Sequence, residues 1–244
     1  MRESSSDSQA WAIELQGLTK SFGRYLALRG IDLKISSGET TVIFGPNGAG
    51  KTTMIKVLAT IMNPSSGEVL IDGLNLQNSA EEIRRRIGVV THQTFLYNNL
   101  TAYENLEFYG RIYDVPGRKE RIQEVVAMVG MTSRFYDRVG TLSRGMQQRL
   151  SIARALLHKP SIMLLDEPET GLDQQATSIL RELLLTEKEK RTIILTTHNL
   201  ERGFELCDRL LILAQGKIAY QGLSQSLGLA DLEQTYQQYT KVGI

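Results

Sequence analysis

A glycine-rich segment, Gly45-Pro-Asn-Gly-Ala-Gly-Lys-Thr52, constrains the fold more than any other feature of the sequence. It matches the pattern G-x-x-x-x-G-K-[ST] in full, with an apolar run before it and a helix-forming run after it. Glycines let the backbone curl so that its N–H groups point at an anion, and the next helix adds its positive N-terminal end. The sequence therefore predicts a strand–loop–helix unit that binds the phosphates of ATP or GTP.

Each residue of this loop is a candidate nucleotide contact. The Lys51 ammonium is expected to reach the β- and γ-phosphates, and the Thr52 hydroxyl is expected to bind Mg²⁺. A glycine turn that only joins a strand to a helix is the simpler alternative. The candidate nucleotide-binding residues of the loop are Gly45, Pro46, Asn47, Gly48, Ala49, Gly50, Lys51, Thr52 and Thr53.

Two adjacent acids follow an apolar strand-like run, in Ser161-Ile-Met-Leu-Leu-Asp-Glu-Pro168. A buried strand end tolerates paired carboxylates only where they face a cation or a polar site. Asp166 fits the acid that holds Mg²⁺, and Glu167 fits the residue that polarises the attacking water. An acidic turn exposed to solvent is the alternative.

Composition narrows the class of protein. The 244 residues are 41% hydrophobic and 23% charged with a net charge of +1, which indicates a globular domain without general attraction to nucleic acid. The single cysteine, Cys207, excludes an intrachain disulfide and favours a reducing compartment. We expect residues 1–10 to be a disordered tail, because they are polar and no apolar stretch follows them.

The apolar pattern predicts an α/β fold. Strands are expected at residues 12–15, 27–35, 40–44, 68–71, 87–90, 162–165 and 192–196, and helices at 51–61 and 176–189. Strand runs that are apolar at every position are typical of a parallel sheet covered on both faces. Between about residues 101 and 157 the pattern turns helical, and residues 210–220 read as a hairpin.

The segment Leu142-Ser-Arg-Gly-Met-Gln-Gln-Arg149 closely resembles the ABC signature, Leu-Ser-Gly-Gly-Gln-x-Gln-Arg. Arg144 and Met146 depart from that pattern, whereas Ser143 and Gly145 retain it. The resemblance implies a P-loop NTPase of the ABC ATPase type over residues 11–244. Its expected architecture is a mixed sheet core with an antiparallel β lobe and a helical subdomain inserted at about residues 94–158.

The resemblance also assigns roles to single residues. Gln93 resembles the Q-loop glutamine that senses Mg²⁺ and the nucleophilic water, His198 the switch histidine that contacts the γ-phosphate, and Asp173 the D-loop aspartate that crosses a dimer interface. The alternatives are a solvated loop glutamine, a structural histidine and a plain helix N-cap. Phe22 resembles the aromatic residue that stacks on adenine, and Tyr25 lies close enough to be the stacking ring instead.

In this family two subunits form a head-to-tail dimer with two ATP molecules at the interface, where Ser143 and Gly145 would contact the nucleotide of the opposite subunit. The implied partners are a second ATP-binding subunit and a separate transmembrane permease, at the cytoplasmic face of the inner membrane. The segment 91–106, the signature and residues 232–240 resemble haem-exporter ATPases of cytochrome c biogenesis. Multidrug, lipid or ion exporters of the same branch and a non-transport ABC ATPase are the alternatives.

Phe95, Leu96, Tyr97 and Tyr103 lie in a segment otherwise rich in Asn and Thr. Such apolar side chains can line a groove that holds a short helix of the membrane subunit. The alternative is that they pack the helical subdomain onto the core.

Overall fold

The computed structural model of the chain describes residues 11–170, 172, 174–187 and 191–240. The predicted tail at residues 1–10 lies outside them. The strands are β1 Trp11–Phe22, β2 Tyr25–Ser36, β3 Thr40–Phe44, β4 Ser66–Ile71, β5 Leu74–Asn75, β6 Ile87–Val90, β7 Ile162–Asp166, β8 Thr192–Thr196, β9 Arg209–Ala214 and β10 Lys217–Leu223. The α-helices are α1 Lys51–Leu58, α2 Ala80–Arg86, α3 Ala102–Ile112, α4 Arg118–Met128, α5 Arg144–Leu156, α6 Gln174–Glu187, α7 Leu200–Leu206 and α8 Leu229–Thr240.

The central sheet has the strand order β10-β9-β3-β8-β7-β6, with β10 antiparallel and the other strands parallel. Every residue of β3, β7 and β8 is buried, which agrees with the largely apolar pattern of these runs. Because the carboxyl ends of parallel strands lie at one edge, the loops after β3, β7 and β8 come together there.

A second, antiparallel sheet has the order β2-β1-β4-β5. Its first strand runs to Phe22, well beyond the predicted residues 12–15. The alternation of buried and exposed residues breaks after Leu15, and the pairing of β1 with β2 shifts register there. A bulge of this kind adds a residue to one strand and hides the period of two that the prediction relied on.

The central sheet separates two hydrophobic cores. One face packs against α1 and the antiparallel sheet, with Ile43, Ile194 and Leu211 among its central residues. The other face packs against the remaining large helices, including α3, α4 and α5, which lie between β6 and β7. The predicted helical region is therefore an insertion between two neighbouring parallel strands.

Helices α7 and α8 were not predicted, whereas for α2 the sequence offered only the arginine run at residues 84–86, which we interpret as the solvated face of a helix. Helix α2 is short and buries only Ile83, so it offers little apolar periodicity to detect. Its Arg84 and Arg85 are exposed, as expected for the arginine run at residues 84–86. Within the part of the chain that the structure describes, no helix combines the length and the apolar character that crossing a bilayer requires.

Candidate nucleotide-binding site

The glycine-rich loop connects the buried strand β3 to helix α1. Gly50 occupies the N-cap position of α1 with φ +110°, a left-handed conformation that favours glycine. A Cβ at Gly50 would also lie 2.7 Å from the carbonyl oxygen of Ala27 on β2. The loop is thus pressed against the antiparallel sheet, and only a residue without a side chain fits there.

A pocket of about 210 Å³ opens over this loop. It contains the residues predicted to bind phosphate together with both candidate aromatic residues. Its lining residues are Phe22, Tyr25, Ala27, Pro46, Asn47, Gly48, Ala49, Gly50, Lys51, Thr52, Thr53 and Glu167. Gly45 contributes through its carbonyl oxygen, which accepts a hydrogen bond from Lys51 Nζ at 2.6 Å.

Lys51 places a buried cation at the base of the pocket. Its Nζ also donates to the carbonyl oxygen of Pro46 at 3.2 Å and lies 3.8 Å from a Glu167 oxygen. Burial lowers the pKa of Lys51, and the nearby Glu167 and Asp166 carboxylates partly oppose that shift. The ammonium is held by loop carbonyls, in a position that suits an incoming phosphate.

Asp166 and Thr52 bring two hard oxygen donors together. The Thr52 hydroxyl donates to Asp166 Oδ1 at 3.1 Å, and the Thr196 hydroxyl donates to the same oxygen at 2.7 Å. Asp166 is only 2% exposed, so two hydroxyl groups satisfy a carboxylate that water scarcely reaches. Thr196 was not among the predicted site residues, although a polar residue directly after the apolar run Ile193–Leu195 was the available signal.

Glu167 stands between a lysine and a histidine. Its two carboxylate oxygens lie 3.8 Å from Lys51 Nζ and 3.6 Å from His198 Nδ1. Its backbone is left-handed at φ +46°, and its N–H donates to the Thr196 carbonyl oxygen at 3.0 Å. This turn directs the side chain of Glu167 out of the sheet and into the pocket.

Asp166 and His198 do not line this pocket but contact its residues Thr52 and Glu167, whereas three other predicted residues lie apart from it. Gln93 is exposed, three residues beyond the end of β6, and the Thr91 hydroxyl bonds to its backbone. Ser143 caps α5 by accepting a hydrogen bond from the Met146 N–H, and Gly145 follows in the first turn. None of these three residues lines the pocket, and Asp173 lies outside the described residues.

A buried glutamine that the sequence analysis did not single out connects these segments. Gln148 of α5 donates from Nε2 to the carbonyl oxygens of Thr91 and Pro168. It thereby ties the helix that begins at Ser143 to the segment carrying Gln93 and to the loop after Glu167. No pattern in the sequence reveals these contacts, because the partners are 57 and 20 residues away.

Comparison with known proteins assigns the fold to a family. Residues 28–170 match the family model described as ABC transporter. The chain belongs to the ABC transporter family. The ABC transporter ATP-binding protein NatA of Bacillus subtilis (strain 168) is 40% identical over 205 residues, which cover 82% of this chain and 83% of NatA. The Nod factor export ATP-binding protein I of Rhizobium sp. (strain N33) is 38% identical, covering 88% of this chain and 72% of that protein.

Solved ABC cassettes have the same architecture. The dimeric post-hydrolysis state of the ATP-binding cassette MJ0796, bound to ADP and phosphate, superposes with a TM-score of 0.81 at 31% identity, covering 87% of this chain and 98% of that chain. An ATP binding subunit of an ABC transporter gives a TM-score of 0.85 at 28% identity, covering 93% and 99% of the two chains. The predicted fold class is therefore confirmed. Membership of this family of ATP-binding subunits implies that the chain binds and hydrolyses ATP.

Proposed function

We propose that the pocket over the glycine-rich loop is the catalytic site and that the chain drives export through a separate membrane subunit. The position of Glu167 between Lys51 and His198 carries the proposal. In this scheme the loop N–H groups and Lys51 bind the phosphates, and Glu167 accepts a proton from the attacking water. His198 would contact the γ-phosphate.

The donor set fits Mg²⁺, which prefers oxygen ligands and keeps several water molecules and phosphate oxygens around it. Thr52 and Asp166 supply a hydroxyl and a carboxylate within 3.1 Å of one another. Gln93 would complete the set from the segment after β6. The metal would neutralise phosphate charge, while the protein contributes the position of these oxygens.

Either aromatic ring at the mouth of the pocket can stack on adenine. Phe22 and Tyr25 are 46% and 56% exposed, and both line the pocket. The Tyr25 hydroxyl donates to the Gly48 carbonyl oxygen at 3.4 Å, whereas Lys20 lies over the Phe22 ring at 5.3 Å. Neither ring offers a hydrogen-bond pattern that reads the purine edge, so we expect only modest preference for ATP over GTP.

The second half of each catalytic site would come from another ATP-binding subunit. Ser143 and Gly145 at the N-terminus of α5 suit a γ-phosphate, and the signature resemblance places them opposite the pocket of a partner. Asp173 would contribute at the same interface. The dimeric MJ0796 cassette supports this arrangement.

The names of relatives support a role in export, for which we propose a location at the cytoplasmic face of the inner membrane. These relatives include the Nod factor export proteins and the linearmycin resistance ATP-binding protein LnrL of Bacillus subtilis (strain 168), the latter 34% identical over 88% of this chain. Export of haem for cytochrome c biogenesis rests on the sequence resemblance alone. A multidrug, lipid or ion cargo fits the same site equally, because the cargo would bind the membrane subunit.

The surface beside the segment 94–97 would contact that membrane subunit. Phe95 and Tyr97 are 41% and 50% exposed, as a docking surface requires. Leu96 and Tyr103 are partly buried against the helical core instead. Under this proposal Phe95 and Tyr97 face the membrane subunit, while Leu96 and Tyr103 pack the helical subdomain onto the core.

Replacement of Lys51 tests the catalytic proposal. Lys51→Ala removes the buried cation from the phosphate site, so we expect tight ATP binding or hydrolysis to be lost while the fold stays intact. ATPase activity of the purified complex and the circular dichroism of the variant are the measurements. Unchanged turnover in Lys51→Ala would contradict the assignment of the pocket.

A further inference from the structure

Two loops meet at the proposed catalytic site, where the carboxyl ends of β7 and β8 lie side by side. The loop after β7 begins with Glu167, and the loop after β8 contains His198. The His198 side chain is 64% exposed, and its Nδ1 lies 3.6 Å from a Glu167 carboxylate oxygen. Because so much of the His198 ring is exposed, its position depends on what holds the backbone on either side of it.

Thr197, the residue before His198, is buried, and its hydroxyl group makes two hydrogen bonds. Thr197 is only 1% exposed, and its N–H donates to the Ile43 carbonyl oxygen at 3.3 Å. The Thr197 hydroxyl accepts from the Asn199 N–H at 3.0 Å, which closes a turn around His198. The same hydroxyl donates to Glu169 Oε1 at 2.5 Å. One hydroxyl group therefore shapes the histidine loop and connects it to the loop after β7.

Helix α7 fixes the direction of this hydroxyl. Gly203 of α7 lies so close to the end of the sheet that a Cβ there would be 2.5 Å from a Phe44 ring atom and 2.9 Å from Thr197 Cγ2. The methyl group of Thr197 thus faces the helix, while its hydroxyl faces Glu169. Because a β-branched side chain has few favourable rotamers, the packed methyl group holds the hydroxyl in place.

Glu169 reaches Thr197 from the same turn that presents Glu167. The Thr170 N–H donates to the Glu167 carbonyl oxygen at 3.1 Å and closes this turn. A hydroxyl-to-oxygen distance of 2.5 Å is typical of a hydrogen bond to an ionised carboxylate, which is roughly twice as strong as one between neutral groups. A strong hydrogen bond therefore ties the turn that carries Glu167 to the residue before His198.

We propose that Glu169 is a positioning residue, which holds His198 at the distance from Glu167 that ATP hydrolysis requires. The proposal rests on the proposed function, in which Glu167 accepts a proton from water and His198 contacts the γ-phosphate. Glu169 would act through Thr197 rather than by touching the nucleotide. A misplacement of about 1 Å can cost on the order of 100-fold in rate, so loss of this hydrogen bond should lower kcat more than it weakens ATP binding.

Nuclear magnetic resonance of the full chain with labelled histidine tests the positioning without measuring activity. The chain contains three histidines, His92, His158 and His198. In Glu169→Leu the ring resonances of His198 should shift or broaden, while those of His92 and His158 should match the wild type. Glu169→Gln keeps an oxygen that can accept from Thr197, so it should change the His198 resonances much less. Unchanged His198 resonances in Glu169→Leu, or equal changes in both variants, would overturn the proposal.

ATPase kinetics of the complete complex supply the second test. Glu169→Leu and Thr197→Val should each lower kcat by about tenfold or more and change KM for ATP less than about twofold. The double variant should be no slower than either single variant, because both changes remove the same hydrogen bond. Glu169→Gln should retain most of the turnover. Glu201→Leu removes an exposed carboxylate from the first turn of α7 and is the matched control, with turnover unchanged.

His198→Ala separates this proposal from the proposed function. Wild-type turnover in His198→Ala would show that the proposed role of His198 is wrong, and the positioning role would fall with it. Loss of turnover in His198→Ala but not in Glu169→Leu or Thr197→Val would overturn the positioning role alone. Adding Glu169→Leu to His198→Ala should slow hydrolysis no further, and a multiplied loss would also overturn the proposal. ATP binding by the isolated Glu169→Leu chain should stay within about twofold of the wild type, which shows that the variant folds.

Discussion

At the scale of single residues, Glu167 shows how the end of a strand can direct a carboxylate into the proposed catalytic site. Asp166 completes β7 and faces the hydroxyl groups of Thr52 and Thr196, whereas Glu167 leaves the strand through a left-handed backbone. This conformation is uncommon for a residue with a side chain, and the hydrogen bonds from its N–H to Thr196 hold it. Two neighbouring carboxylates therefore face different partners and can perform different tasks.

We predict that Glu167→Gln binds ATP but hydrolyses it on the order of 10²–10⁴ times more slowly, because the amide keeps the shape and loses the proton acceptor. Asp166 and Thr52 are untouched, so the nucleotide pocket should survive. Equilibrium binding of ATP and single-turnover hydrolysis measure the two effects separately. Wild-type turnover in this variant would remove Glu167 from the catalytic role.

The variant should also accumulate as a closed dimer with ATP, if opening requires hydrolysis. Size-exclusion chromatography with and without ATP and Mg²⁺ measures this. A variant that remains monomeric while saturated with ATP would contradict the dimer model for the isolated subunit.

At the scale of elements, the start of helix α5 could be predicted from the sequence, but its long-range contacts could not. Its start at Ser143 was predictable, because serine caps helices and the signature begins there. The strand–loop–helix unit from β3 to α1 was equally predictable, because the phosphate loop requires it. The contacts of Gln148 and Arg154 were not, since they join α5 to strands and loops that are distant in sequence.

His158, just beyond the end of α5, makes the packing of this helix on β6 sensitive to pH. Its Nε2 lies 3.0 Å from the Ile87 carbonyl oxygen, and because a carbonyl only accepts, Nε2 carries the proton. Nδ1 is buried without a partner, and the ring stacks on Tyr113 at 4.0 Å. Burial lowers the pKa of His158 to about 4, so the folded protein holds this ring neutral.

The free energy of unfolding should therefore fall as the solution is acidified. The unfolded chain binds a proton at His158 near pH 6.5 and the folded chain only near pH 4, so stability is full above pH 6.5 and is lost between these values. From pH 7.5 to 5 this one group should contribute a loss of about 2 kcal/mol. The free energy of unfolding in urea should be measured at both pH values. Its loss on acidification should be about 2 kcal/mol smaller in His158→Gln than in the wild type. In the control His92→Gln, at an exposed histidine, the wild-type dependence should remain.

At the scale of the whole molecule, one chain holds only part of the proposed catalytic site. The pocket contains the phosphate loop and Glu167, but neither Ser143 nor Gly145 lines it. Ser143 is exposed at the N-terminus of α5, where the helix presents unsatisfied N–H groups that suit an anion. A second subunit that places its Ser143 against this pocket would complete the site. In a symmetric dimer the Ser143 of the first subunit would complete the pocket of the second subunit in the same way.

Mixing two inactive variants tests whether Ser143 acts on the nucleotide bound to the opposite subunit. In Lys51→Ala both phosphate loops of a dimer are damaged, and in Ser143→Arg both helix N-termini carry a bulky side chain, so each variant alone should lack turnover. A mixed dimer holds one doubly damaged site and one site that pairs an intact Lys51 with an intact Ser143 from the other subunit. ATPase activity should therefore reappear on mixing, while a chain that carries both changes should rescue neither variant. If Ser143 acted on the nucleotide of its own chain, the mixed dimer would contain no intact site and would remain inactive. Restored turnover thus distinguishes a site shared between subunits from one built within a single chain.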